Sequence, residues 1–317
     1  MFKTRLCDIL GIQYPIIQGG MVWICMHELT AAVSEAGGLG VLAGGSMTSE
    51  ELAEEIRLTK SATKKPFGVN IPLLRPDAEI LIDTTIAGGA AAVISSAGNP
   101  KRFTGKIQDA GLKVVHVSPN VGLAVKAETA GVDAVVGEGI EAGGHDGFDE
   151  ITTMALIPQL VERLTVPVIA AGGIADGRGF AAALALGAQG VQMGTRFAAT
   201  FEARAHIKFK EAIIGVGDTG TTVSARTLGP TRAVKNRLTE KIAEAERACV
   251  SKEDLFELIG EGRSRMASVD GDVQEGTVYC GQIGGLITGL MHAGDVVRET
   301  IEGAEKVVKE LEAAARR

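Results

Sequence analysis

The stretch with the clearest capacity for chemistry is EGIEAGGHDG, residues 138–147, in which one imidazole lies among glycines. The chain has only five histidines. An imidazole can transfer a proton near neutral pH, and neighbouring glycines leave room for a substrate. We therefore predict that His145 is catalytic. His116, at the end of another apolar run, is a second histidine that could face the same site.

Two glycine-rich turns suggest a phosphate site. The segment PVIAAGG ends in Gly172 and Gly173, and GVQMGT ends in Gly194 and Thr195. Glycine lets backbone N–H groups approach phosphate oxygens closely, and a helix N-terminus adds a favourable dipole. Tight turns alone would also explain these glycines. Because two such turns follow consecutive apolar runs, we favour a phosphate-bearing ligand.

Two further positions could contact a planar ring. Gly20 and Met21 follow the first apolar run, in QGGM, and glycine there would allow close approach of backbone to a ligand. Asn70 ends the run FGVNI, and its carboxamide can donate to and accept from a heteroaromatic edge. A plain tight turn and a loop cap are the structural alternatives.

Other reactive side chains give weaker signals. The remaining histidines have no HExxH-like spacing, so we predict no protein-held metal. Nothing near Cys25 marks it as an activated nucleophile, and four cysteines without a CxxC pair predict free thiols in a reducing cytoplasm. The basic run Arg226, Arg232, Lys235 and Arg237 could neutralise a phosphorylated or acidic substrate, but a solvated helix face is the simpler interpretation.

Composition excludes several classes of protein. A net charge of −7 and 4% aromatic residues argue against nucleic-acid binding. No apolar run approaches ~20 residues, so we predict neither a membrane span nor a signal peptide. With 45% hydrophobic and 22% charged residues, the sequence is typical of a soluble globular protein rather than a disordered one.

Eight short apolar runs must position these residues, and each is followed by a turn and a helical pattern. They cover residues 15–20, 38–45, 66–71, 90–98, 112–118, 133–139, 167–173 and 190–195. Continuous Val, Ile and Ala without polar alternation is typical of strands buried on both faces. The pattern predicts an α/β fold, a (β/α)8 TIM barrel. A doubly wound sheet is the alternative, but QGGMVW lacks its GxGxxG signature.

The segment after the eighth run is more polar and carries charged helical patterns. We predict a barrel formed by residues 1–200 and 281–317, with residues 201–280 as a mostly helical insertion. Because active sites of such barrels lie at the carboxyl ends of the strands, the insertion would act as a lid or substrate subdomain.

The sequence resembles the nitronate monooxygenase family of FMN-dependent barrels, which includes enoyl-[acyl carrier protein] reductase II and a branch of NADH:quinone reductases. The matching segments are IIQGGMVW, AAVSEAGGLGVLAGG, KPFGVNI, AGNP, GVDAVVGEGIEAGGH, PVIAAGGIADGRG, VQMGTRF and GDVQEGTVYCGQIGGLI. The resemblance implies FMN at the barrel mouth and a histidine that handles a proton. The residues it nominates around FMN are Gly20, Met21, Asn70, Glu138, Gly173, Gly194 and Thr195, with His145 as the catalytic histidine.

Three segments of the sequence indicate which branch of that family the chain resembles. Gly19-Gly20 replaces the Ala-Pro of the best-known nitronate monooxygenases, and the tail GDVQEGTVYCGQIGGL resembles enoyl reductase II. The acidic loop DGFDE, residues 146–150, is longer than the reductase loop and resembles the quinone reductases. We therefore expect hydride to pass from NAD(P)H through flavin N5 to an electron-poor acceptor, an enoyl thioester or a quinone.

Two alternatives stay open. The chain could be a nitronate monooxygenase that oxidises alkyl nitronates with oxygen, or a barrel that binds a phosphate ligand without catalysis. Nucleotide dehydrogenation would require a loop cysteine that EGIEAGGHDG lacks. The expected partners are a small-molecule or acyl-thioester substrate and, as the candidate assembly, a second copy in a homodimer.

Overall fold

The apolar runs form parallel strands that close into a barrel. The computed structural model describes residues 2–316. The strands within that range are β1 (Ile16–Gln18), β2 (Gly40–Ala43), β3 (Phe67–Pro72), β4 (Ala92–Ser96), β5 (Lys113–Ser118), β6 (Ala134–Glu138), β7 (Gly144–His145), β8 (Val168–Ala171), β9 (Gly190–Met193), β10 (Thr221–Ser224) and β11 (Thr231–Val234). Eight of them pair in parallel in the order β1-β9-β8-β6-β5-β4-β3-β2. Leu39 joins the two ends, because it donates to the Ile16 carbonyl at 2.9 Å and accepts from the Gln18 N–H at 3.0 Å. The predicted TIM barrel is confirmed.

The strands are apolar throughout because both of their faces are buried. One cluster fills the barrel interior and includes Ile17, Val41, Val115 and Ile169. A larger cluster lies mainly between the strands and the surrounding helices. Removing this apolar surface from water is the main favourable contribution to folding. Polar residues are therefore confined largely to the strand ends, which is where a site can form.

Helices follow the strands and cover the barrel. They are α1 (Arg5–Leu10), α2 (His27–Glu35), α3 (Ser49–Ala62), α4 (Ala78–Gly88), α5 (Thr104–Asp109), α6 (Val121–Thr129), α7 (Thr153–Arg163), α8 (Gly177–Ala185), α9 (Thr195–Ala198), α10 (Ile207–Ile214), α11 (Arg237–Arg247), α12 (Lys252–Ile259), α13 (Arg263–Ser268) and α14 (Ala293–Ala315). The last helix, α14, packs against α8 and α2 and so fills the place of the eighth barrel helix. Across residues 2–316, no helix has the length and apolar character needed to cross a bilayer.

The segment between α9 and the final helix contains a β-hairpin as well as the helices α10 to α13. Strands β10 and β11 form the hairpin, and β11 also pairs with β7. In that pairing Thr231 lies opposite His145 and Arg232 lies opposite Gly144. The segment 201–280 is therefore hydrogen-bonded to the strand that carries the predicted catalytic histidine. The hairpin itself was not indicated by the sequence patterns.

Candidate active site

A large cavity opens at the carboxyl ends of the barrel strands, and its volume is about 1010 Å³. This is the end of the barrel where active sites of this architecture lie. All nine residues proposed from the sequence line it. They are His145, Gly20, Met21, Asn70, Glu138, Gly172, Gly173, Gly194 and Thr195. The barrel therefore brings together residues that are up to 175 positions apart in the chain, from Gly20 to Thr195.

The two glycine-rich turns present backbone donors. Gly172 and Gly173 have left-handed φ angles of 86° and 73°. Among residues 2–316, the N–H groups of Gly172, Gly173, Gly194 and Thr195 donate to no protein acceptor. The Thr195 hydroxyl instead accepts from the Gly281 N–H at 2.9 Å. Unengaged N–H groups lining a cavity are what an anionic oxygen needs.

Gly20 lines the cavity and also makes room for a neighbouring side chain. A Cβ at this position would lie 2.3 Å from the Asn70 Cβ and 2.9 Å from its Oδ1. Gly20 therefore makes space for the Asn70 side chain. That carboxamide is anchored because its Nδ2 donates to the Ile94 carbonyl at 3.0 Å. Its Oδ1 has no such anchor and is the atom left for a ligand.

Three adjacent strands place side chains in one row at the cavity. Glu138 pairs with Ala171, and Ala171 pairs with Gln192. Desolvation raises the pKa of Glu138 to about 7. The Gln192 Oε1 is buried and has no hydrogen-bond partner in residues 2–316. Sequence reasoning missed Gln192, although a carboxamide within the apolar strand GVQM was a usable signal.

His145 lies on β7 and is exposed to the cavity. Its ring is 5.7 Å from the ring of Tyr279, centroid to centroid, at an interplanar angle of 58°. The surrounding protein partly desolvates the imidazole and lowers its pKa. Because the ordinary value is 6.5, the neutral ring dominates at neutral pH. Neutral imidazole has one N–H donor and one acceptor nitrogen.

His116 also lines the cavity but is held more tightly. The side chain is buried, and its Nδ1 lies 2.8 Å from the Ser95 hydroxyl. Desolvation lowers its pKa to about 4. His116 is therefore a neutral hydrogen-bonding group of the wall, whereas His145 is the more accessible imidazole.

The three carboxylates of the loop 146–150 differ in their surroundings. Asp149 accepts from the Asn120 side chain at 2.7 Å, and Glu150 accepts from Arg226 at 2.6 Å. Asp146 lines the cavity, yet both of its carboxylate oxygens are buried without a partner among the residues that the structure covers. Desolvation, reinforced by the charge of Glu138, raises its pKa to about 8.

The basic run does not form the solvated helix face that the sequence suggested. Arg232 lies on β11, is 7% exposed and donates to the Ile140 carbonyl at 2.9 Å and to the Thr221 hydroxyl at 3.2 Å. It is therefore part of the scaffold that holds β7 next to the hairpin. Its positive charge favours ionisation of Asp146 but is outweighed by the desolvation of that carboxyl.

The Cys25 thiol and one cluster of metal-ligand-type atoms both have protein partners. The buried Cys25 thiol accepts from the Met21 N–H at 3.2 Å, and burial raises its pKa to about 12. Elsewhere, His27, Glu28 and Glu55 bring three ligand-type atoms together. Arg204 donates to Glu28 at 2.9 Å and lies 3.3 Å from Glu55, so one guanidinium already pairs with both carboxylates.

The chain matches known proteins along most of its length. The sequence profile described as nitronate monooxygenase matches residues 3–87 and 79–303. A Mycobacterium tuberculosis protein named (3aS,4S,5R,7aS)-5-hydroxy-7a-methyl-1-oxo-octahydro-1H-indene-4-carboxyl-CoA dehydrogenase is 38% identical over 78% of this chain and 70% of its own length. A probable nitronate monooxygenase of Staphylococcus saprophyticus is 34% identical over 76% of this chain and 81% of its own.

Among solved structures, FabK from Thermotoga maritima superimposes with a TM-score of 0.94 and is 39% identical, covering 99% of this chain and 100% of that one. The fold, the cavity and these matches define an oxidoreductase built on a TIM barrel. The chain belongs to the nitronate monooxygenase family, which is flavin-dependent.

Proposed function

We propose that this protein is an FMN-dependent oxidoreductase that uses NAD(P)H to reduce an electron-poor acceptor, an enoyl thioester or a quinone. One observation carries the proposal. Unengaged backbone donors and an accessible, neutral His145 line the same cavity. The first suits an anionic phosphate, and the second suits a substrate that exchanges a proton.

The residues present fit FMN. The N–H groups of Gly172, Gly173, Gly194 and Thr195 would hold its phosphate. Two carboxamide oxygens, those of Asn70 and Gln192, have no partner among residues 2–316 and would be satisfied by polar atoms of the ring system. FMN would supply the hydride-transfer chemistry when bound.

His145 would hold the proton that the acceptor takes up. Its neutral ring carries one N–H, which can donate to a carbonyl oxygen or be transferred to carbon as the acceptor is reduced. Tyr279 packs beside the ring and limits its orientation. The segment 201–280, hydrogen-bonded to β7 through Thr231 and Arg232, would restrict access of water to the site.

A nitronate monooxygenase is the second candidate. It is favoured by the Staphylococcus saprophyticus relative named as a probable enzyme of this type, and a neutral His145 would also serve as a base toward a nitroalkane. The carboxyls of Glu138 and Asp146 favour a neutral acceptor instead. Each negative charge they acquire repels an anionic nitronate, most strongly above pH 8.

Anaerobic reduction of the bound flavin by NADH, NADPH and propyl-2-nitronate in parallel tests the proposal. We expect NADH or NADPH to bleach the flavin absorbance and a quinone or enoyl thioester to restore it. If the nitronate bleaches the flavin while excess NADH and NADPH leave it oxidised, the reductase proposal is wrong and the nitronate reaction is selected.

A further inference from the structure

The cavity continues well beyond the predicted flavin site. Its volume of about 1010 Å³ lies at the upper end of the range of about 300–1,000 Å³ for small-molecule sites. Part of its lining comes from the loop after β4, and part comes from one face of α6. The α6 residues are Leu123, Lys126, Thr129 and Ala130, whose spacing places them on a single side of the helix.

Charge is segregated along this cavity. The carboxyls that line it belong to β6 and to the segment between β6 and α7, whereas its two lysines, Lys101 and Lys126, come from the loop after β4 and from α6. Both lysines are exposed, and across residues 2–316 neither ammonium group has an ion-pair or hydrogen-bond partner. Lys106 and Lys113, in contrast, are paired with Glu79 at 3.1 Å and Asp133 at 3.2 Å.

Two exposed apolar side chains also line the cavity. Leu123 is 44% exposed, and Phe148 is 69% exposed. Asp149, the carboxylate nearest in sequence to Phe148, is bonded to Asn120 at the N-terminal end of α6. The same cavity is thus lined by two unpaired cations, two exposed apolar side chains and the proton-handling histidine.

We propose that Lys101 and Lys126 form a second phosphate-binding site, for the nucleotide end of an extended ligand whose reactive end lies in the cavity that His145 lines. Two sources share this chemistry. One is the nucleotide part of a coenzyme A thioester, and the other is the 2′-phosphate of NADPH. The inference deepens the proposed function, on which it rests for the reactive end of the ligand. An unpaired cation on a chain of net charge −7 also favours the approach of anions at this place.

Equilibrium binding without turnover tests the site. The probes are coenzyme A, dephospho-coenzyme A, pantetheine, NADPH and NADH, titrated calorimetrically into the full-length FMN-containing protein. The variants are Lys101→Ala, Lys126→Ala and the double variant, with Lys106→Ala as the matched control. Lys106 lies five residues from Lys101 on α5, is paired with Glu79 and Asp83, and does not line the cavity.

We expect each single variant to weaken phosphate-bearing probes about 3–10-fold and the double variant about 10–50-fold. Binding should also weaken with salt in the wild type more than in the double variant. A loss for coenzyme A identifies the thioester source, and a loss for NADPH without one for NADH identifies the dinucleotide. The Lys101→Arg and Lys126→Arg variants should retain binding.

Wild-type affinity of the double variant for both coenzyme A and NADPH would overturn the inference. An equal loss of affinity for pantetheine, which has no phosphate, would also overturn it. The inference would likewise be wrong if the wild type bound neither coenzyme A nor NADPH. These outcomes are separate from the function test, because a protein whose flavin NAD(P)H cannot reduce would still reveal the site by calorimetry.

Discussion

Two regions of the cavity present different kinds of group to a ligand, backbone donors in one and ionisable side chains in the other. The turns after β8 and β9 present backbone N–H groups of Gly172, Gly173, Gly194 and Thr195, with no side-chain charge among these four residues. The segment that follows β6 presents side chains instead, and desolvation shifts the pKa values of Glu138, His145 and Asp146 toward their neutral forms. A backbone site keeps its donors at any pH, whereas a side-chain site changes its charge with pH. This difference suits holding a phosphate in the first region and moving a proton in the second.

Replacement of His145 should have the largest effect. We expect His145→Ala to lower kcat for acceptor reduction about 10²–10⁴-fold, because the proton donor is lost, while FMN affinity stays near that of the wild type. Stopped-flow measurement of flavin reoxidation by the acceptor checks this. The control is His292→Ala, since His292 is exposed, lies outside the cavity and is paired with Glu202 at 2.9 Å. Loss of FMN binding by His145→Ala would contradict the assignment of phosphate binding and proton transfer to two separate regions.

Two glycine substitutions should separate ligand binding from folding in the backbone region. At Gly194 an added Cβ would have Met21 Sδ as its nearest neighbour, at 3.8 Å, so Gly194→Val should fold and weaken FMN binding about 10–100-fold by filling phosphate space. At Gly172 the φ of 86° and the Gly139 oxygen at 2.6 Å from an added Cβ make Gly172→Ala strained. We expect that variant to lose about 1–3 kcal/mol of stability.

Fluorescence titration with FMN and chemical denaturation of the apoprotein measure these two effects. If Gly194→Val binds FMN as tightly as the wild type does, Gly194 is not part of the phosphate site. An unchanged free energy of unfolding for Gly172→Ala would show that the turn can relax.

The smallest expected effect is a pH-dependent change in stability at Asp146. Its pKa is about 8 in the folded protein and 3.8 without perturbation. The folded state thus holds a proton that the unfolded state releases, so wild-type stability falls as pH rises from 4 to 8. Asp146→Asn removes this titration and should gain about 1–3 kcal/mol relative to wild type between pH 5 and pH 9.

Thermal unfolding of both proteins across that pH range is the measurement. Asp149→Asn is the matched control in the same loop, because Asp149 is exposed and already hydrogen-bonded to Asn120. A difference between Asp146→Asn and wild type that does not change with pH would contradict the assignment of a buried, uncharged carboxyl.

Much of this site could be predicted from local sequence. The apolar runs identified all eight barrel strands, and the glycine turns and Asn70 follow from where those runs end. His145 follows from the glycine-rich stretch after the sixth run, and Glu138 from the family resemblance. Capping was less predictable. Ser49 looks like the cap of α3, but Thr48 is the cap, and Thr48 and Glu51 form a reciprocal pair of hydrogen bonds. Adjacent hydroxyl residues compete for a cap, and backbone geometry decides between them.

The sequence by itself determined the barrel and the residues at its strand ends, because strand burial and glycine turns depend on local composition and period. Only the tertiary structure decided which side chains of the site are ionised. Whether Asp146 is ionised depends on burial and on Glu138 and Arg232, which come from distant segments. Likewise, the pairing of β11 with β7 joins residues 86 positions apart, Thr231 and His145. Desolvation and long-range pairing are properties of the packed chain, and no short stretch of sequence contains them.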